Sequence, residues 1–289
     1  MTRLQTPTDV ATTIPPPVHA PARDRRRGRL ATALLFATVS LAALACFAWP
    51  LVIPASSGQS PVVPAVLVCL VVPVLAVVAV IVADRGVVGS PNAATFVAML
   101  GLLAAAGTLA RLFASAAGGV EAIFIILIIG GAAFGPRFGF LLGMVTIGVS
   151  ALAWGMVGPW VPFQMFATAW VGAGAGLVSL AIRRVTRRAT ARQRRWSEFA
   201  TLSVYGIVAA YLYGALLNLW FWPFAVGGET SISYEAGAAV GLNLSHFVVY
   251  TLVTSTLTWD TVRAATTVVG LIVMGPALMA GLRRAKLGR

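Results

Sequence analysis

The sequence predicts an all-α integral membrane protein, and three observations carry that expectation. Only 10% of its 289 residues are charged and 59% are hydrophobic, whereas a soluble domain uses about a quarter charged residues to cover its surface. The mean hydropathy is +0.90. The apolar residues also gather in runs of roughly 20, the length of helix that crosses a bilayer core. Other classes drop out on the same figures. Disorder demands low hydrophobicity, and a disulfide framework demands far more than the two cysteines present. Cys46 and Cys69 sit inside apolar runs. A small packing residue is expected there, with a bridge between neighbouring helices as the alternative.

Residues 1–29, rich in Pro, Thr and Arg, read as a disordered basic tail. Two apolar runs follow, 30–53 and 62–83, separated by a polar turn containing Pro54 and Pro61. The first is too long for a signal peptide and has no small-residue cleavage site after it, so it reads as a retained anchor. Residues 84–92, with Arg85, return the chain. The next runs are 93–113 and the short 120–134, then a Gly135-Pro136-Arg137 turn, 138–157, a Gly158-Pro159-Trp160 turn, and 163–182. A basic loop then leads to 199–222, and the stretches 236–257 and 262–282 complete the chain.

Charge placement sets the expected topology. The net charge is +13, and most of the bases form three clusters: Arg3 to Arg29, Arg183 to Arg195, and Arg283 to Arg289. Cytoplasmic loops collect Arg and Lys, so all three clusters are expected inside. Trp196 is the only aromatic residue at any of them, which speaks against nucleic acid and for anionic lipid or a basic-inside anchor. Nine spans would put the C-terminal bases outside, whereas eight keep all three clusters inside. The polar stretch 236–257, with Asn243, Ser245 and His246, is the expected misfit, lying on the outer surface or re-entering.

Ionisable groups within a membrane protein are functional candidates by default. They are Arg111, Glu121, Asp260 and Arg263, with Glu229 and Glu235 in the outer loop. Asp260 and Arg263 can pair on one helix face, and the acid suits a helix start, so a structural pair stands beside a ligand contact. Arg111 can also simply snorkel to the interface. Trp154, Trp160, Phe163, Trp220 and Trp222 gather at expected outer helix ends. There they are interfacial anchors or a stacking surface for a flat organic ligand. Gln164 and Asn218, amides beside those rings, need partners and favour the ligand. Ala94, Ala98, Gly101 and Ala105 repeat small residues on one helix face, where another helix can approach closely. The Gly172, Gly174 and Gly176 run does the same elsewhere.

An enzyme is the competing class. Gly148-Val149-Ser150 loosely resembles the serine turn of intramembrane proteases, with His246 as its base, but Ala151 stands where that turn needs glycine. No metal cluster is expected from two separated histidines, no resident cofactor is indicated, and no phosphate-binding Gly-Lys-Ser/Thr loop is present. Any nucleotide energy must come from another chain. A non-transporting membrane scaffold is the third class.

Four stretches together resemble one known family. The run from Gly130 through Phe134-Gly135-Pro136-Arg137-Phe138-Gly139-Phe140-Leu141-Leu142-Gly143, the run Gly158-Pro159-Trp160-Val161-Pro162-Phe163-Gln164-Met165, Asn218-Leu219-Trp220-Phe221-Trp222-Pro223-Phe224, and Trp259-Asp260-Thr261-Val262-Arg263-Ala264 look like substrate-binding S components of energy-coupling factor (ECF) vitamin transporters. Within that family they resemble the cobalamin-type group, over residues 93–285. The resemblance implies a six-helix S-component core preceded by two extra transmembrane helices (30–83), in a multi-pass plasma-membrane protein with both termini cytoplasmic. It implies capture of a vitamin-like molecule from outside, cobalamin being the leading guess, and no ATPase of the chain's own. Its partners would be a transmembrane coupling subunit and two cytoplasmic ATPases. By the same resemblance Ala94, Ala98, Gly101 and Ala105 face the coupling subunit, with glycine in place of one alanine. The expected substrate contacts, taking the residues and the resemblance together, are Arg111, Trp160, Gln164, Asn218, Trp220 and Asp260. The extra helix pair and the outer insert 225–257, a possible lid, depart from the family pattern.

Overall fold

In hydrocarbon every backbone N–H and C=O has to find its partner within the segment, and helix is the only regular structure among the described residues. The computed structural model describes residues 22–52, 93–116, 121–226 and 230–287. The helices are α1 (Ala22–Phe47), α2 (Trp49–Val52), α3 (Ala93–Ala116), α4 (Ile123–Phe134), α5 (Pro136–Trp154), α6 (Val161–Val185), α7 (Ala191–Ala225), α8 (Val240–Thr251), α9 (Thr261–Val273) and α10 (Gly275–Leu287). Five helical stretches are long and apolar enough to cross a membrane: Ala93–Phe113, Pro136–Trp154, Val161–Arg188, Ala191–Ala225 and Val240–Val273. Their outward faces carry Leu102, Leu109, Val204, Leu212, Val269 and Ile272, an apolar exterior that only lipid would tolerate on this scale. The protein is a multi-pass, all-helical membrane protein.

A helix apolar all round belongs in the interior. The short α4 obeys: ten of its twelve residues are buried. Around it α5 and α6 form the closest helix pair, because glycines let their backbones meet. Gly139 and Gly172 face each other with no side chain between them, Gly131 rests on Gly172, and Gly143 rests on the Thr168 backbone. The glycine run of α6 is thus a packing seam. Gly135 joins α4 to α5 at φ +107°, a conformation that suits glycine, and Pro136 then occupies the first turn of α5.

The basic stretch after α6 is mostly helix. A single 3₁₀ turn, Thr186–Arg188, separates α6 from α7. Thr190 then caps α7 through a reciprocal capping box with Gln193. At this end the buried Glu198 accepts hydrogen bonds from Arg183 (3.0 Å), Arg283 (2.6 Å) and Ser179 (2.7 Å). The carboxylate ties the C-terminal helix to the α6–α7 connection. Along α1, Phe36 packs on Phe140 and Phe47 on Phe163, so α1 also starts at this end. The start of α1, the 183–195 connection and Arg283 therefore share one end of the bundle. A cysteine replacing Arg289, in a chain lacking Cys46 and Cys69, should stay unlabelled by an impermeant maleimide in intact cells and react after permeabilisation. Labelling in intact cells would reverse the expected topology.

Several boundaries differ from expectation. The helix begins at Ala22, so 22–29 belong to it rather than to a disordered tail, and the first apolar run breaks at Ala48. The second extra helix, 62–83, lies outside the described residues. The largest correction concerns 225–257. From Val240 the chain runs as one 34-residue helix to Val273, in place of a surface insert followed by a separate span. Its polar residues do not break it, because their side chains bond locally: Ser245 donates to Leu242 O at 2.7 Å and Thr254 to Tyr250 O at 2.7 Å. Asn243 instead holds the preceding loop, exchanging two hydrogen bonds with the Glu235 backbone. Residues 240–257 thus belong to the same helix as the stretch that follows them. The last run breaks instead at Met274, before Gly275-Pro276, where proline cannot continue the hydrogen-bond ladder.

Candidate functional site

Away from the basic end, two polar constellations interrupt the apolar interior. The first joins three helices through Arg111. Its guanidinium donates to Ser150 Oγ (2.9 Å) on α5 and to Gln164 Oε1 (2.7 Å) on α6. Of the sequence-predicted contacts, Arg111 and Gln164 are therefore brought together directly. Trp160 stands one turn before Gln164, its carbonyl accepting the Gln164 N–H at 3.0 Å, and the residue is 38% exposed.

Trp220 is placed differently. Its ring is buried and lies 4.5 Å from Phe163 and 5.9 Å from Phe221. The α2 residue Trp49 closes over this group, donating its indole N–H to the Trp220 carbonyl at 3.3 Å and packing on Phe224. The aromatic surface expected to stack a ligand is thus filled by the protein's own rings. Trp49 came from the N-terminal extension, and nothing in the sequence pattern announced that contact.

The second constellation lies between α7 and the long Val240–Val273 helix. Residues Leu252–Asp260 of that helix are π-helical, a widened form that recurs at functional sites. The π register brings residues five apart onto one face. Ser255 accordingly donates to Asp260 Oδ2 at 2.9 Å, and Thr261 Oγ1 to Thr256 O at 2.7 Å. Asp260 is fully buried and pairs with Arg263 at 2.6 Å, while Arg263 also reaches Glu121 at 2.5 Å. The pairing of Asp260 with Arg263 is as expected from their spacing; the setting is not. Asp260 lies inside a continuous helix and caps nothing. Gly214 makes room for its carboxylate, since a Cβ there would collide with it. The Arg263 guanidinium stacks on Tyr213 and Phe124, 4.8 and 5.7 Å from the ring centres.

Asn218 belongs to the second. It is one turn from Gly214, which abuts Asp260, and one turn from Trp222, which packs on Phe247 and Tyr250. Asn218 Nδ2 is buried and makes no hydrogen bond, as is also true of Thr251 Oγ1, next to Tyr250. Asn218 and Trp220, two residues apart on one helix, point to different neighbours. Tyr213, Thr251 and Ser255 escaped the sequence reading. The dense Thr and Ser of 251–258 was the available signal for two of them; for Tyr213 there was none.

Ser150 and His246 are engaged separately. Ser150 bonds Arg111 and the Ile147 carbonyl, and His246 Nδ1 sits 3.0 Å from the Ser233 carbonyl. No hydrogen bond joins the two. Among the described residues no three His, Cys, Asp or Glu side chains form a grouping that could hold a metal. Glu229 lies outside the described residues. On the outward face of α3, Ala94, Ala98, Gly101 and Ala105 are all exposed, and a Cβ on Gly101 would touch nothing. No family model, curated protein or solved structure matches this chain.

Proposed function

We propose that the protein is the substrate-capturing S component of an ECF-type vitamin importer, taking up a vitamin-like organic molecule, with cobalamin the leading candidate. The observation that carries the reading is the buried, unbonded amide nitrogen of Asn218. An unsatisfied buried donor costs about 1–3 kcal/mol, and a ligand carbonyl or hydroxyl would remove that cost. Its surroundings suit such a ligand: an adjacent π-helical stretch rich in hydroxyls and a paired Arg–Asp–Glu group. The exposed small-residue face of α3 supports docking on a coupling subunit, since small side chains let a second helix approach closely. Import would then depend on ATPases carried by other chains.

The test is native mass spectrometry of the purified protein, first as isolated and then against a panel of vitamins. A corrinoid or another vitamin is expected to be retained, and Asn218→Leu is expected to weaken it about tenfold or more. Trp220→Ala is the poorer probe, because removing a buried ring also opens a cavity beneath Trp49. A protein that ignores the whole panel and recovers no ATPase on affinity purification would sink the reading and leave a scaffold.

A further inference from the structure

A groove lies at the other end of α7 from Asn218. It has a volume of about 770 Å³ and runs between the first turns of α7 and the junction of α9 with α10. Its floor is apolar, formed by Phe199, Leu271 and Pro276, and its rim carries Arg192, Arg195 and Trp196. None of the lining residues is acidic. The Glu198 carboxylate beside it is buried and already bound to Arg183 and Arg283. Arg192 and Arg195 are exposed and, among the described residues, form no hydrogen bond or ion pair.

We propose that this groove is a binding site for an anionic phospholipid of the leaflet that faces the basic end of the bundle. Three features select that occupant. Two exposed guanidinium groups provide the charge for a phosphate diester, and arginine binds phosphate in a bidentate fork. The apolar floor continues directly from those groups, so a ligand must be charged at one end and oily at the other. The groove also sits where α7 changes from the basic Arg192–Arg195 turn to its apolar length. That change marks the headgroup level, and the exposed Trp196 beside it is the residue type that settles there. Basic pockets between helices on the cytoplasmic side are the general setting for bound acidic lipids. The site is independent of what the protein transports.

The full chain, equilibrated with an equimolar mixture of phosphatidylglycerol and phosphatidylcholine of matched chains, should retain phosphatidylglycerol selectively in native mass spectrometry. Replacing both rim residues, R192Q with R195Q, should lower that retention about 30-fold, the product expected of two arginines at an anionic surface. Removing the same charge from the neighbouring turn, R187Q with R188Q, should leave it nearly unchanged. Ala200→Trp, which fills the floor and keeps the arginines, should also abolish it. Equal retention of both lipids would overturn the proposal, as would equal losses from the two double variants. Competition by glycerol phosphate at the same concentration as the intact lipid would show a free-phosphate site instead. Capture of polypeptide rather than lipid by a photoreactive residue at position 200 in the membrane would show a protein partner, and would equally overturn it.

Discussion

Arg263→Met is expected to destabilise the folded protein by about 3–5 kcal/mol, the cost of removing one partner from a buried ion pair. Asp260 has no exposure at all, and with Arg263 gone only Ser255 would still bond its carboxylate. Glu121 would lose its 2.5 Å partner, and the rings of Tyr213 and Phe124 their stacked cation. The charge left unpaired, rather than the lost attraction, is what makes the effect large. Asp260→Asn combined with Arg263→Met should therefore recover much of the loss. Denaturant unfolding in detergent measures both variants. If the single variant unfolds with the wild type, the cluster is not a strut between α7, α9 and the start of α4.

The second large effect is expected at the glycine seam. Gly172→Leu places its first carbon against the Gly139 carbonyl, which is backbone and cannot rotate aside. Overpacking of a tight interior costs about 1–3 kcal/mol and occasionally more. This case should reach or exceed the upper figure, because α5 and α6 must separate along their length to relieve it. Gly101→Leu is the matched control, on an exposed helix face where a Cβ meets nothing. It should leave the unfolding midpoint near that of the wild type. On the S-component reading, however, it should block assembly with the coupling subunit. A Gly172→Leu protein as stable as Gly101→Leu would show that the seam is looser than its geometry implies.

Different parts of this molecule were legible in the sequence for different reasons. The pairing of Asp260 with Arg263 was visible because a spacing of three puts two side chains on one helix face. The close approach at Gly172 was visible because a run of small residues has few other uses in a helix. The 236–257 stretch misled because Asn, Ser and Thr look like surface polarity. Within a helix their hydroxyls bond a carbonyl one turn back, and the helix continues. The neighbours of Trp220 were not legible because a ring at a helix end is equally suited to a ligand and to another ring. Here the other rings are Phe163 and Phe221, and Trp49, 171 residues away in the chain, closes over them.

By itself the sequence determined that this is an all-helical membrane protein, where most of its helices lie, and which end of the bundle is basic. Hydrophobic run length, helix-breaking residues and charge clusters act locally and leave their mark in every window of the chain. Only the tertiary structure decided that Arg111 meets Gln164 and Ser150, that Glu198 gathers Arg183 and Arg283, and that Asn218 is left with a buried, unbonded amide nitrogen. Each of those depends on which helix faces which, and that is set by packing between residues far apart in the chain, which no local pattern encodes.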